Sequence, residues 1–267
     1  MERLDRALGE FRQMEELAVS DSPIHRLHPL AKFLTTVLYI LIVVSYPKYA
    51  LRAMPVMALF PILLYQIARI PLSLCFYRLR YILPLVCAVG LFNPFFDRTP
   101  AFQIGALTVT GGMISFLTLL CKGVLCLTAS FLLVATTRFD ALCAALRKLH
   151  VPSLLTNLLL LTYRYITVLM EEASAMTTAY HLRAPGQKGI HISAWGSFLG
   201  QLLLRSMDRA EDLFRAMQLR GWHGHFHYVD LPSFTARDAA YVCGGAALLA
   251  LVRLVDIAGL VGSLLVR

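Results

Sequence analysis

The 267-residue sequence predicts an all-α membrane protein, with about five transmembrane helices plus long cytoplasmic helices. Three observations predict it. The chain is 58% hydrophobic with a mean hydropathy of +0.65, whereas soluble domains sit nearer half apolar. Several apolar runs are long enough to cross a bilayer core of about 30 Å. Between two such blocks, the stretch from Pro152 to Gly221 is instead long, helical in pattern and charged.

In chain order, residues 1–30 form an N-terminal cytoplasmic or interfacial segment. Leu4, Leu8, Phe11 and Leu17 share one helical face, with Arg3, Arg6, Arg12 and Glu15 elsewhere. That is the pattern of a helix lying on a membrane surface or on a partner. It does not resemble a cleavable signal, which would carry a short apolar core and a small-residue cleavage site. Residues 31–136 hold four spans. The first covers 31–45, after Pro29-Leu-Ala-Lys32. The second, 51–67, contains Pro55 and Pro61, tolerable where neighbours satisfy the freed carbonyls. The following loop carries Arg69, Arg78 and Arg80 and reads as interfacial over 70–77. The third span covers 81–96, ending at Asn93-Pro-Phe-Phe-Asp97, and the fourth 113–136, after a break at Gly111-Gly112. Residues 137–238 are the cytoplasmic coupling-helix region, and 239–267 the last span.

Loop charges set the orientation. Five Lys and Arg residues lie in the N-terminal segment, three in the loop after the second span, and eleven between Arg138 and Arg237. The other side has four: Lys48, Arg52, Arg98 and Arg267. The N-terminus and the central region are therefore expected in the cytoplasm and the C-terminus outside, in a multi-pass protein of the inner (plasma) membrane. The net charge of +9 fits this topology and anionic lipid, and gives no reason to expect nucleic acid. The six cysteines are scattered without CxxC spacing and read as small buried hydrophobes, implying no disulfide framework or zinc site.

The central region begins with a short helix over 139–149, with Asp140 in its first turn and Arg147 and Lys148 in its last, as the helix dipole favours. A second helix runs from Pro152 to Arg183, roughly 45 Å at 1.5 Å per residue. Its first half, 154–169, is too apolar for water. Pro185-Gly186 stops it. A third helix covers about 195–220, with an apolar stripe through Leu199, Leu202, Leu203, Ala210, Leu213, Phe214 and Met217. Gly221 suits the left-handed residue that closes a helix. The two long helices end alike, as Ala179-Tyr-His-Leu182-Arg183-Ala184 and Ala216-Met-Gln-Leu219-Arg220-Gly221. One arginine at a helix C-terminus is ordinary capping. Two copies of the same six-residue ending favour a docking role, in which each guanidinium meets a carboxylate in a partner's groove.

At these residues the chain resembles a known family, the transmembrane T component of energy-coupling factor (ECF) transporters, in its cobalt and nickel (CbiQ-like) branch. The resemblance extends over nearly the whole chain. It is carried by Leu27-His-Pro29-Leu-Ala-Lys32, by the segment from Arg138 to Pro152, by Thr162-Tyr-Arg-Tyr-Ile166 with Glu171-Glu172, and most specifically by the segment from Asp208 to Gly221. Family members carry Ala-Arg-Gly-like triplets at the two helix ends. Here they are Leu182-Arg183-Ala184, which lacks the glycine, and Leu219-Arg220-Gly221. The resemblance implies two cytosolic ATPase subunits, or an ATPase homodimer, that receive the arginine tips, and a separate membrane S component that binds the substrate. It implies a non-catalytic subunit that binds neither substrate nor nucleotide and needs no cofactor. The sequence agrees in having no Walker A loop. A T component serving vitamin S components is the alternative within the family, and cobalt and nickel are not separable here.

Other residues are weighed against that reading. Lys122 lies within the fourth span, and Arg253 and Asp256 within the last, where charges are costly. Arg253 and Asp256 are three apart and can pair, or contact the S component. Glu171 and Glu172, near Arg164, can brace the crossed helices or simply face solvent. His223, His225 and His227 alternate, but solvated or structural histidines are favoured over a metal site. A membrane enzyme would need a motif such as HExxH, which is lacking. A stand-alone transporter would carry acidic relays or inverted repeats, and neither is evident.

Overall fold

The computed structural model describes residues 2–20, 22–70, 72–93, 100–104, 107–187, 189–222 and 233–254. These fall into two compact units, Met1–Glu16 with Phe139–Leu231, and Leu17–Arg138 with Pro232–Arg267. The described residues are overwhelmingly helical, as expected. The helices are α1 (Glu2–Val19), α2 (Pro29–Ser45), α3 (Met54–Ala68, after a 3-10 turn at Leu51–Ala53), α4 (Leu72–Gly90), α5 (Gly111–Thr136), α6 (Phe139–Lys148), α7 (Ser153–Arg183), α8 (Ile192–Leu219) and α9 (Ala236–Leu254).

In the second unit α5 is the hub, packing against α2, α3 and α4, while α9 packs on α2. Two buried clusters share it. Leu125 and Ala129 of α5 join Tyr39, Val43, Met54, Met57 and Leu249 in one. Leu132 and Ala135 join Ile24, Tyr65, Ala68, Ile70, Cys75 and Leu79 in the other. The buried phenols are satisfied by carbonyls, Tyr39 donating to Met57 and Tyr65 to Thr128. Gly90 lets α4 approach α5, since a Cβ there would sit 2.7 Å from the Phe116 ring.

Two expectations are corrected. Residues 72–77 are helix and not loop: α4 is continuous from Leu72 and carries Arg80, exposed, within it. It stays helical because Cys75 and Leu79, one turn apart, are buried in the α3–α5 cluster. Gly111-Gly112 does not interrupt anything but forms the buried first turn of α5. An antiparallel hairpin, β1 (Pro100–Ile104) with β2 (Leu107–Thr110), precedes α5, with Phe102 opposite Val109 and a bulge between Pro100 and Phe102. Its only sequence signal was a short β-branched and aromatic alternation.

Among the described residues, Leu51–Ala68, Gly111–Thr136 and Ser153–Arg183 are long and apolar enough to cross a membrane, and Pro29–Ser45 is a shorter apolar helix. In the first unit α7 packs against α6 and α8. Cys143, Ala144 and Ala145 of α6 and Thr156 and Asn157 of α7 are buried. Leu154, Leu155 and Leu158 of the same turns are exposed. α1 lies on α7: Phe11 sits tilted against Tyr163 at 5.1 Å, Phe139 stacks on the same ring at 4.1 Å, and Tyr163 donates to Glu15 at 3.1 Å.

Candidate functional site

The two helix tips share a sequence but not a backbone. At the second, α8 ends in a Schellman arrangement. The Trp222 N–H reaches the Met217 carbonyl at 3.0 Å and the Gly221 N–H reaches that of Gln218 at 2.9 Å, with Gly221 at φ 77° as expected. Trp222 then packs edge-on to Phe214. At the first tip Ala184 leaves the helical region, at φ −125° and ψ 67°, after donating to the Tyr180 carbonyl. The residue before Pro185 is pushed out of the helical region, so no left-handed residue is needed. Tyr180 instead braces the following loop, its hydroxyl donating to Gln187 at 2.8 Å and accepting from the His191 N–H at 3.3 Å. Sequence reading missed Tyr180.

Both arginines are exposed. More telling is the residue before each: Leu182 is 79% exposed and Leu219 89%. Capping a helix accounts for the arginine; what the leucine adds is its recurrence, exposed, at the same place on both tips. Each tip offers an apolar side chain, a guanidinium and a small residue that leaves room for an approaching surface. A partner with a carboxylate at the end of an apolar groove would satisfy all three.

Along the shaft, Glu171 and Glu172 do not turn to Arg164. Glu171 pairs with Arg12 of α1 at 3.4 Å, and Glu172 pairs with Arg205 of α8. Arg164 is exposed on the same helix. The carboxylates thus tie α7 to two of its neighbours in the unit, α1 and α8, one on each. Arg215 and Glu211 make the expected pair within α8, at 2.9 Å.

In the other unit, Lys122 and Arg253 converge on one end of α2. Lys122 donates to the carbonyls of Val44 and Tyr46. Arg253 donates to the Ser45 carbonyl at 3.3 Å and lies 4.2 Å over the Tyr46 ring. Two cations on the free carbonyls of a helix C-terminus are what its dipole favours. This accounts for the lysine that the sequence left without a role. Asp256 and the His223, His225 and His227 run lie outside the described residues. Among the described residues, no three His, Cys, Asp or Glu side chains are placed to hold a metal ion. Cys75 and Cys143 are buried, but Cys243 is exposed on α9, unlike the buried reading given to all six.

The Leu27-to-Lys32 segment, quoted above for its resemblance, has a structural job of its own. His28 caps α2, its Nδ1 accepting from the Leu30 N–H at 3.0 Å, and Pro29 begins the helix. The His28 N–H donates to Asp238 at 2.8 Å, whose other oxygen accepts the Thr235 N–H and hydroxyl at 2.8 and 2.7 Å. One carboxylate therefore joins the starts of α2 and α9.

A protein-family model described as "Cobalt transport protein" (CbiQ) matches residues 20–228. The chain is 38% identical over 95 residues to the cobalt transport protein CbiQ of Rhodobacter capsulatus, covering 34% of this chain and 38% of the relative. It is 33% identical over 91 residues to the nickel permease LarQ of Lactiplantibacillus plantarum, covering 34% and 33%. It is 26% identical over 227 residues to the energy-coupling factor transporter transmembrane protein EcfT of Limosilactobacillus fermentum, covering 76% and 80%. The matched part spans half or less of the length of several of these relatives, and four fifths of the last.

Proposed function

Because this chain belongs to the CbiQ cobalt transport protein family, we propose that it is the energy-coupling membrane subunit of an ECF-type importer for cobalt or nickel ions. In this reading two ATPase subunits supply the work, a separate S component binds the ion, and this chain carries motion between them. The observation that carries the proposal is the exposure of Leu182 and Leu219 beside Arg183 and Arg220, the same Leu-Arg-small ending on two long helices. Residues 31–136 and 239–267 supply the five spans, with the N-terminus and the tips in the cytoplasm. Lys122 and Arg253 have a structural explanation, so nothing requires them on a conduction path.

A bilayer-embedded chain coupled in this way needs no catalytic group of its own. The tips bind by pairing each guanidinium with a partner carboxylate and covering each leucine. The Glu172–Arg205 pair bridges α7 to α8, and the contacts of Tyr163 with Phe11 and Glu15 hold α1 on α7, so displacement at a tip moves the group together. Similarity to EcfT favours a second reading, a T component shared among vitamin S components, with the same tips and a different cargo.

The test is co-purification of the ATPase pair with charge-reversed chains. Arg183→Glu and Arg220→Glu are each expected to weaken retention about tenfold or more, since each loses a charge-assisted bond and gains a repulsion, and to abolish ion uptake. Retention and uptake at the wild-type level with both reversals present would end the coupling reading.

A further inference from the structure

Ser22 to Leu27, the end of α3 and the start of α9 enclose an open groove of about 1050 Å³ in the second unit. Its walls include Leu64, Ile67 and Tyr241, and Arg26, Arg69 and Arg237 also line it. Arg69 and Arg237 are exposed, and neither forms a salt bridge among the described residues. Asp238 is the one acidic side chain in the lining, and it is 4% exposed. Its oxygens are already taken by His28 and Thr235. The groove therefore presents cationic head groups above an apolar wall.

Arg69 adds an independent observation. It closes α3 at φ 56°, its N–H reaching Gln66 and the Ile70 N–H reaching Tyr65. This is the left-handed position where glycine is favoured and a side chain is strained. An arginine there carries a backbone cost that the turn itself does not require.

We propose that this groove binds an anionic phospholipid, its phosphate between Arg69 and Arg237 and an acyl chain along Leu64 and Ile67. Basic pockets among membrane helices recognise such head groups by charge, with the tail adding apolar burial. The inference needs only that the chain is embedded in a bilayer, so it stands or falls separately from the coupling role.

The experiment is native mass spectrometry of the full chain, purified in neutral detergent and offered equal phosphatidylglycerol and phosphatidylcholine. Phosphatidylglycerol is expected to be retained preferentially. Arg69→Gly and Arg237→Gln should each reduce that retention about fivefold. Arg52→Gln, in the turn before α3 and remote from the groove lining, should not. Arg69→Gly should also melt no lower than the wild type, because glycine relieves the backbone. That separates loss of binding from loss of fold, and Arg237→Gln provides a second, exposed position. Equal retention of the two lipids, or loss at only one arginine, would overturn the site. Complete displacement by millimolar inorganic phosphate would reassign it to a soluble anion and overturn the lipid.

Discussion

The Lys32 ammonium lies 2.6 Å from the carbonyl oxygen of Thr136, the last residue of α5. Lys122, on α5, donates in turn to Val44 and Tyr46 at the end of α2. Each helix therefore lends a lysine to the other's C-terminus. The exchange fixes their antiparallel register, because sliding either helix by a turn would strand both lysines, one of them buried, and three carbonyls.

Removing Lys32 should cost more than removing Lys122. Lys32 is 4% exposed and Lys122 only partly buried. Lys32→Ala should lower stability by about 2 kcal/mol or more and Lys122→Ala by about 1. Thermal unfolding of the purified variants checks the order. A Lys122 variant that unfolds earlier than the Lys32 variant would contradict it.

Asp238 should give the protein an acid limit. It sits just ahead of the last proposed span. Burial pushes its carboxyl up, but the His28 N–H and the Thr235 N–H and hydroxyl outweigh that and hold it below the ordinary carboxylate range. A lowered folded-state pKa contributes stability that is present above the unfolded value and lost as pH falls through the folded one. The wild type should therefore lose thermal stability on acidification, and Asp238→Asn should start lower and respond less. Parallel pH profiles for the two proteins would remove Asp238 from the explanation.

The second tip should depend on its glycine in a way the first does not. A Cβ at Gly221 meets no atom within 4 Å, so Gly221→Ala carries only the backbone cost of a left-handed alanine, about 1 kcal/mol. Hydrogen exchange at the amides of 221 and 222 should quicken about fivefold, with little change at the Ala184 amide. Unchanged exchange at both ends would mean that the left-handed closure is not what holds the tip.

Tyr163 should govern whether α1 stays on α7. Its ring sits between Phe11 and Phe139, and its hydroxyl bonds Glu15. The Arg12–Glu171 pair is exposed and contributes ~1 kcal/mol or less. Tyr163→Ala should free α1 and so speed trypsin cleavage after Arg12 in detergent, whereas Glu171→Gln should leave the digestion pattern nearly unchanged. Faster cutting of the Glu171 variant with no change in the Tyr163 variant would mean that the ion pair and not the ring contacts retains α1.

Much of this was legible because it rests on local chemistry. The long helices, their ends at Arg183 and Arg220, and the left-handed Gly221 follow from apolar periodicity and from the few residues that can end a helix. Long-range partners were not legible in the same way. Arg164 looked like the natural partner of Glu171 by proximity along the chain, yet the partners are Arg12 and Arg205. The loop expected at 72–77 is helix because two buried side chains outweigh the arginines beside them.

By itself the sequence determined that the chain is helical and bilayer-embedded and that its two long central helices end on the same Leu-Arg-small signature, since these depend on hydropathy and residue type over a few turns. Only the tertiary structure decided that Lys32, Lys122 and Arg253 serve helix ends, that the two tips close by different backbones, and that Leu182 and Leu219 stay uncovered. Those outcomes depend on which carbonyls and side chains distant segments bring within 3 to 4 Å, a property that no window of sequence contains.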